Sequence, residues 1–281
     1  MKIGFAIVTV LVSCGSSALE VPDASRFIAH RGESHDAPEN TLPAYKTAVG
    51  RGFGFECDIY RSKDGRMFTF HDSNLRRTTA GANTNRCTDV EWESTVSKLN
   101  VGGWGKWKGS AFDPTRPALL TEVLDLARDG RWIYVEVKGN DPSWVPTIKA
   151  DLVRCEKANP RNVLFISFGG KVCAELKRQL PDYRVYLLMG AYREWDQGKG
   201  AYSPDEVVAR LRQTQADGID IQFVPEIHDA AFVRAVKSAG FSFHVWTIDD
   251  PGRAAQAFAS GAETLTTNRA KYIMEALSAD P

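Results

Sequence analysis

The chain has 281 residues, enough for one large domain or two ordinary ones, and a single α/β barrel of about 250 residues fits within it. Lysine plus arginine equals aspartate plus glutamate, 35 against 35, so no bulk field draws the protein to nucleic acid or to an anionic membrane. Any attraction for an anionic small molecule is therefore local.

The first eighteen residues, MKIGFAIVTVLVSCGSSA, carry one lysine, an apolar run from Ile3 to Val12 and small residues after it. About ten apolar residues are too few to cross a bilayer, so no transmembrane span is expected, and the layout is that of a secretory signal over 1–18. It can end by cleavage after Ala18 or by lipidation, because Leu11-Val12-Ser13-Cys14 resembles the lipobox of bacterial lipoproteins. Either way the mature protein is expected to be exported, periplasmic or extracellular, with a lipid anchor at Cys14 in the second case. Export leaves Cys57, Cys87, Cys155 and Cys173, of which Cys155 and Cys173 lie on neighbouring predicted helices and could pair; four buried thiols are the alternative. No Cys-x-x-Cys occurs, which argues against structural zinc.

Residues 26–30 form a short apolar run that ends at His30 and predict the first strand. Pro38-Glu39-Asn40-Thr41 announces a helix capped by Asn40 or Thr41, with Leu42, Tyr45, Ala48 and Val49 on one face and Gly50 and Gly52 after it. Residues 53–59 predict the second strand, and the tight turn over 63–66 returns 67–70 as a hairpin arm. From 73 to 117 no period is sustained, so this stretch reads as an insertion or small lid subdomain. Regular alternation then resumes. Helices over 120–128, 143–157, 171–180, 204–214, 229–239, 250–260 and 269–277 alternate with strands over 132–137, 163–167, 184–189, 218–222, 241–246 and 263–267. Eight strands separated by helices imply a parallel sheet that closes: a (β/α)8 TIM barrel over 26–277 with a small insertion, 73–117, after the second strand. A doubly wound open sheet is the rival, but the glycine-rich loop it needs after the first strand is missing, since His30-Arg31-Gly32 offers one glycine.

In such barrels the chemistry sits at the carboxyl ends of the strands. His30 ends the first strand, Glu56 and Asp58 lie late in the second, Glu136 and Lys138 end the third, and Trp246 ends the seventh. Alternation puts Glu56 and Asp58 on one face and Cys57 on the other. Three carboxylates crowded together repel one another unless a positive charge lies between them, and an oxygen-only set suits one divalent cation, Ca²⁺ or Mg²⁺. His30 and His71 each terminate an apolar run beside an ionic residue, and an acid and a base are what substitution at phosphorus requires. Arg31 and Lys138 are candidates to hold phosphate oxygens, or to pair with nearby carboxylates. Glu39 either reaches the site or favours the helix amino end. Trp246 is a candidate wall of the pocket. His35, His228 and His244 receive no role; His244 is expected to face away from Trp246.

Taken together, His30-Arg31-Gly32, Pro38-Glu39-Asn40-Thr41, Glu56-x-Asp58, Lys63-Asp64-Gly65 with His71-Asp72, Arg77-Thr78-Thr79, Glu136-x-Lys138, Ser167-Phe168 and Val245-Trp246-Thr247 resemble the glycerophosphodiester phosphodiesterase family, in order and across nearly the whole mature chain. The resemblance implies metal binding by Glu56, Asp58 and Glu136 and an acid–base pair of His30 and His71. It also implies hydrolysis of a small-molecule glycerophosphodiester to an alcohol and glycerol 3-phosphate through a cyclic phosphate. Many members carry an aspartate after the Ser-Phe pair and a Thr-Asp near the end of strand eight, where this chain has Gly169 and Thr267-Asn268. A lysophospholipase D-like activity and a catalytically lapsed barrel serving as a binding protein are the rival functions.

Overall fold

A computed structural model describes residues 23–279, so the expected signal and Cys14 lie outside the described residues. Phe27, Ile28 and Ala29 are wholly buried and form β1 (Phe27–Ala29), which pairs in parallel with β2 (Gly54–Arg61) on one side and β9 (Leu265–Thr267) on the other. That double pairing closes the sheet. Between β2 and β9 the order runs through β4 (Ile133–Val137), β5 (Val163–Ser167), β6 (Val185–Met189), β7 (Gly218–Gln222) and β8 (Ser242–Trp246), all parallel. The short β3 (Met67–Thr69) folds back antiparallel on β2 and stands outside the ring. Helices α1 (Leu42–Gly50), α2 (Leu120–Leu124), α3 (Val145–Arg154), α4 (Gly170–Gln179), α5 (Pro204–Thr214), α6 (Ala230–Ser238), α7 (Pro251–Ser260) and α8 (Ala270–Ala279) fill the connections. The expected (β/α)8 barrel is the fold observed.

Local chemistry explains the boundaries. Ser203 accepts from the Glu206 N–H while Pro204 opens α5, and Asp250 with Pro251 does the same for α7, which Gly261 closes in a left-handed conformation. Thr41, not Asn40, caps α1. Two helices are shorter than their periodicity suggested. The chain after Leu124 tightens into i−3 hydrogen bonds at Leu126 and Ala127, and α3 is preceded by a 3-10 turn, Pro142–Trp144.

Strand residues that point outward, such as Ile219, Ile221, Val135 and Val137, join the helices in the main core. Those that point inward plug the lower barrel: Ile28, Tyr134, Leu164, Ile166, Tyr186 and Leu188. His244 belongs to this plug, stacked on Tyr186 with ring centroids 4.2 Å apart and bonded to Thr264 at 2.7 Å. Its side chain thus shares the inward face with Trp246, contrary to expectation, because residues two apart on a strand point the same way. Between β3 and α2 the chain makes only short 3-10 turns, and it buries a cluster of its own around Phe68, Phe70, Leu75, Trp92 and Val96. Cys57, Cys87, Cys155 and Cys173 are all buried free thiols, so the pairing of Cys155 with Cys173 is not found. No helix among the described residues is long and apolar enough to cross a membrane.

Candidate active site

β1 is three residues long, so His30 emerges at its carboxyl end, held by its own N–H to the Thr267 carbonyl at 2.8 Å. In β2 the register places Asp58 opposite Glu136 of β4, and Glu56 lies two residues earlier on the same inward face. One oxygen from each of Glu56, Asp58 and Glu136 lies within 4.8 Å of the others. The β2–β3 hairpin then returns the chain so that His71 meets the same mouth. His30, Arg31, Glu56, His71, Glu136, Lys138 and Trp246 line one cavity of about 310 Å³.

The acidic trio is buried, and its protonation reflects that. Burial, then the charges of Asp58 and Glu136, raise Glu56 well above the ordinary range, and one of its oxygens, Oε1, has no hydrogen-bond partner. Burial, then Asp58, push Glu136 up to about 7. Asp58 goes the other way: burial works to raise it, but Lys138, Arg31 and His71 outweigh that. Lys138 Nζ lies 2.8 Å from Glu136 and 3.2 Å from Asp58, so of its two expected roles the carboxylate pairing is the one seen here. Three converging carboxylates, one of them with an oxygen left unpartnered, form a site that could hold a hard divalent cation.

The two imidazoles have different partners. His30 Nδ1 lies 2.8 Å from Asn268 Oδ1, and the Asn268 amide nitrogen donates to Asp249 at 2.6 Å, which fixes which end of the amide faces the ring. His30 therefore donates from Nδ1 to a neutral oxygen, and its Nε2 is left bare, 4.0 Å from Glu56. Burial, then the Arg31 charge, lower it to about 4. His71 Nδ1 instead meets a carboxylate, Asp72, at 2.8 Å. Burial lowers His71 as well, with Asp58 pulling the other way.

Arg77 ties these parts together. It grips Asp72 and Glu39 through four contacts of 2.7 to 2.9 Å, and Glu39 in turn holds Arg31 at 2.9 Å. Glu39 thus orders the arginines and does not sit on the α1 terminus. Asn40, at φ 56°, turns inward to bind Asp58 and Tyr45. Besides Arg77, Asp72 and Asn40, sequence reasoning left without a role in the site Asn268 and Asp249, which support His30; Asp220, buried inside the barrel; and Phe168 and Trp195, which line the cavity. His35 lies in an exposed turn beside Asp36, and His228 is buried before α6, where it accepts the Val224 N–H at 3.0 Å.

Residues 30–271 match the model of the glycerophosphoryl diester phosphodiesterase family. The chain is 26% identical over 245 residues to the glycerophosphodiester phosphodiesterase of Caldanaerobacter subterraneus subsp. tengcongensis, covering 86% of this chain and 93% of that one. It is 38% identical over 123 residues to mouse glycerophosphodiester phosphodiesterase 1, covering 43% of this chain and 36% of that one. Its fold resembles that of an Oleispira antarctica phosphodiesterase solved in complex with the product sn-glycerol-3-phosphate, with a TM-score of 0.75, 24% identity, and 90% and 96% of the two chains covered. With a family match that runs from the first site histidine to the last helix, the chain belongs to the glycerophosphoryl diester phosphodiesterase family of phosphoric diester hydrolases.

Proposed function

We propose that this protein hydrolyses deacylated phospholipid head groups, such as glycerophosphocholine or glycerophosphoethanolamine, to the free alcohol and glycerol 3-phosphate. The observation that carries the assignment of roles is the unequal support of the two imidazoles. His30, paired through Nδ1 with a neutral amide, presents an unprotonated Nε2 and is suited to accept a proton; His71, backed by the Asp72 carboxylate, is suited to carry one. In the first step His30 takes the proton of the glycerol hydroxyl next to the ester. That oxygen bonds to phosphorus, the bond from phosphorus to the alcohol oxygen breaks, and His71 protonates the departing oxygen. In the second step water opens the cyclic phosphate with the proton movements reversed.

Arg31 and Lys138 line the same cavity and offset the phosphate charge. Glu56, Asp58 and Glu136 would hold one divalent cation, Ca²⁺ or Mg²⁺, whose charge when bound supplies further stabilisation of the reacting oxygens. We place the reaction outside the cytoplasm on the strength of residues 1–18 alone.

Removal of divalent ions with a chelator should abolish release of glycerol 3-phosphate, and add-back of Ca²⁺ or Mg²⁺ should restore it. Added cation should also raise the melting temperature, a readout independent of turnover, because it relieves the repulsion within the trio. His30→Ala and His71→Ala should each lower kcat about 10²- to 10⁴-fold with the fold intact by circular dichroism. Unchanged rates in both variants would remove the acid–base assignment. A lysophospholipase D-like activity predicts instead that lysophosphatidylcholine is turned over and glycerophosphocholine is not.

A further inference from the structure

Five of the seven tryptophans are already covered by the chain's own cations. Trp92, Trp104, Trp107, Trp132 and Trp144 each have an arginine or lysine 4.5 to 5.8 Å from the ring centroid. Among the described residues no guanidinium or ammonium sits over Trp195 or Trp246, and these are the two tryptophans that line the active-site cavity. Together with Phe168 they form a mutually packed trio, with centroids 5.6 to 6.1 Å apart. Phe168 and Trp195 are 45% and 59% exposed, and among the described aromatic rings only Tyr272 is exposed to a similar degree.

The trio is built and held in place. The Trp195 ring lies on Gly190, where a Cβ would come within 2.9 Å of it, and it is delivered there by two successive left-handed residues, Glu194 and Trp195 at φ 50° and 63°. Trp246 is pinned by its indole N–H, which donates to the Asp220 carbonyl at 3.0 Å. The Asp220 side chain, 1% exposed, opens into the same cavity with neither oxygen hydrogen-bonded. Among the described residues the only lysine and arginine on the cavity lining, Lys138 and Arg31, are both engaged by carboxylates. Exposed aromatic rings with none of the chain's own cations over the two tryptophans make a wall that attracts a soft cation.

We propose that this wall seats a quaternary ammonium group carried by the alcohol half of the substrate, with Phe168, Trp195 and Trp246 turning their faces to it. The proposal rests on the phosphodiesterase reading and narrows it: phosphate at the histidines, a choline-type cation at the aromatic rim.

The test titrates the protein with choline and with 3,3-dimethylbutan-1-ol, in which carbon replaces nitrogen, by ligand-observed NMR, and assays glycerophosphocholine hydrolysis alongside. Choline should bind about tenfold tighter than its carbon isostere, and Trp195→Ala should reduce that ratio to about threefold or less. Equal binding of the two alcohols, or tighter binding of the neutral one, overturns the ammonium site and marks an apolar groove. A choline preference that survives Trp195→Ala also overturns it. Absence of hydrolysis with the preference and its loss in Trp195→Ala intact would sink the phosphodiesterase reading and leave the ammonium site standing.

Discussion

The tautomer of His30 depends on one amide. Asn268 can accept from His30 only because its nitrogen is occupied by Asp249, and the Asp249 carboxylate is itself fixed by the Thr267 hydroxyl and the Asn268 N–H, both at 2.8 Å. Asn268→Leu should therefore lower kcat about 10- to 100-fold, the usual cost of losing a group that orients a reacting residue, with a smaller change in KM. Asn268→Asp would set a second carboxylate against Asp249, so it should also be impaired, and Asn268→Asp with Asp249→Asn should recover most of the loss. A double variant no better than the single one would show that the charge clash is not the cause. This support was only half legible in the sequence. Thr267-Asn268 stood out as a departure from the family pattern, but Asp249 lies in the connection after β8 and reaches Asn268 only because β8 and β9 lie side by side in the folded sheet. His30, His71 and the acidic trio were legible because each ends or lines an apolar run. Trp195 and Asp220 were not: one sits in a turn without a period, and the other is a single acid between two isoleucines of a strand.

At the scale of elements, the β1–α1 connection sets where Arg31 can stand. Gly32, at φ 77°, packs so tightly that a Cβ would lie 2.6 Å from the Ala44 carbonyl carbon of α1. Gly130 has a similar φ of 74° but nothing within 4 Å of the Cβ position. Gly130→Ala should then cost only the left-handed strain, about 1 to 2 kcal/mol, while Gly32→Ala adds a steric clash and should cost about 3 kcal/mol or more by urea unfolding. Equal losses would mean that α1 yields freely and that the contact matters little. Elements with two buried faces were the easiest to foresee. The expected strands over 163–167 and 218–222 are those observed, and in the first of them burial on both sides writes an almost unbroken apolar run. Residues between β3 and α2 gave no such signal, because they pack by scattered aromatics in turns, and nothing in that spacing announced that Arg77 reaches back to Asp72.

For the whole molecule, two buried histidines outside the active site set an acid limit. Burial lowers His228 to about 4; burial, then Arg184 and Lys237, lower His244 to about 3. Both lie below the unfolded value near 6.5, so between that pH and about 4 the unfolded chain binds more protons than the native one. Stability should be unaffected by these groups above about pH 7 and fall as pH drops below about 6.5, by up to about 1.4 kcal/mol per pH unit for each histidine. Urea unfolding between pH 6.5 and 5 should show this slope, and His244→Phe should remove about half of what these two histidines contribute, leaving the share of His30 and His71, which burial also lowers; an unchanged slope would contradict it. The closure of β1 on β9 has a consequence in time. The residues that would collect the cation and the phosphate all precede β5, yet the oxygen that aligns His30 belongs to Asn268, directly after the barrel's last strand. A chain whose last barrel strand is not yet made, or one clipped before it, holds nearly every reactive group and lacks the keystone, so hydrolysis should begin only once β9 has joined β1.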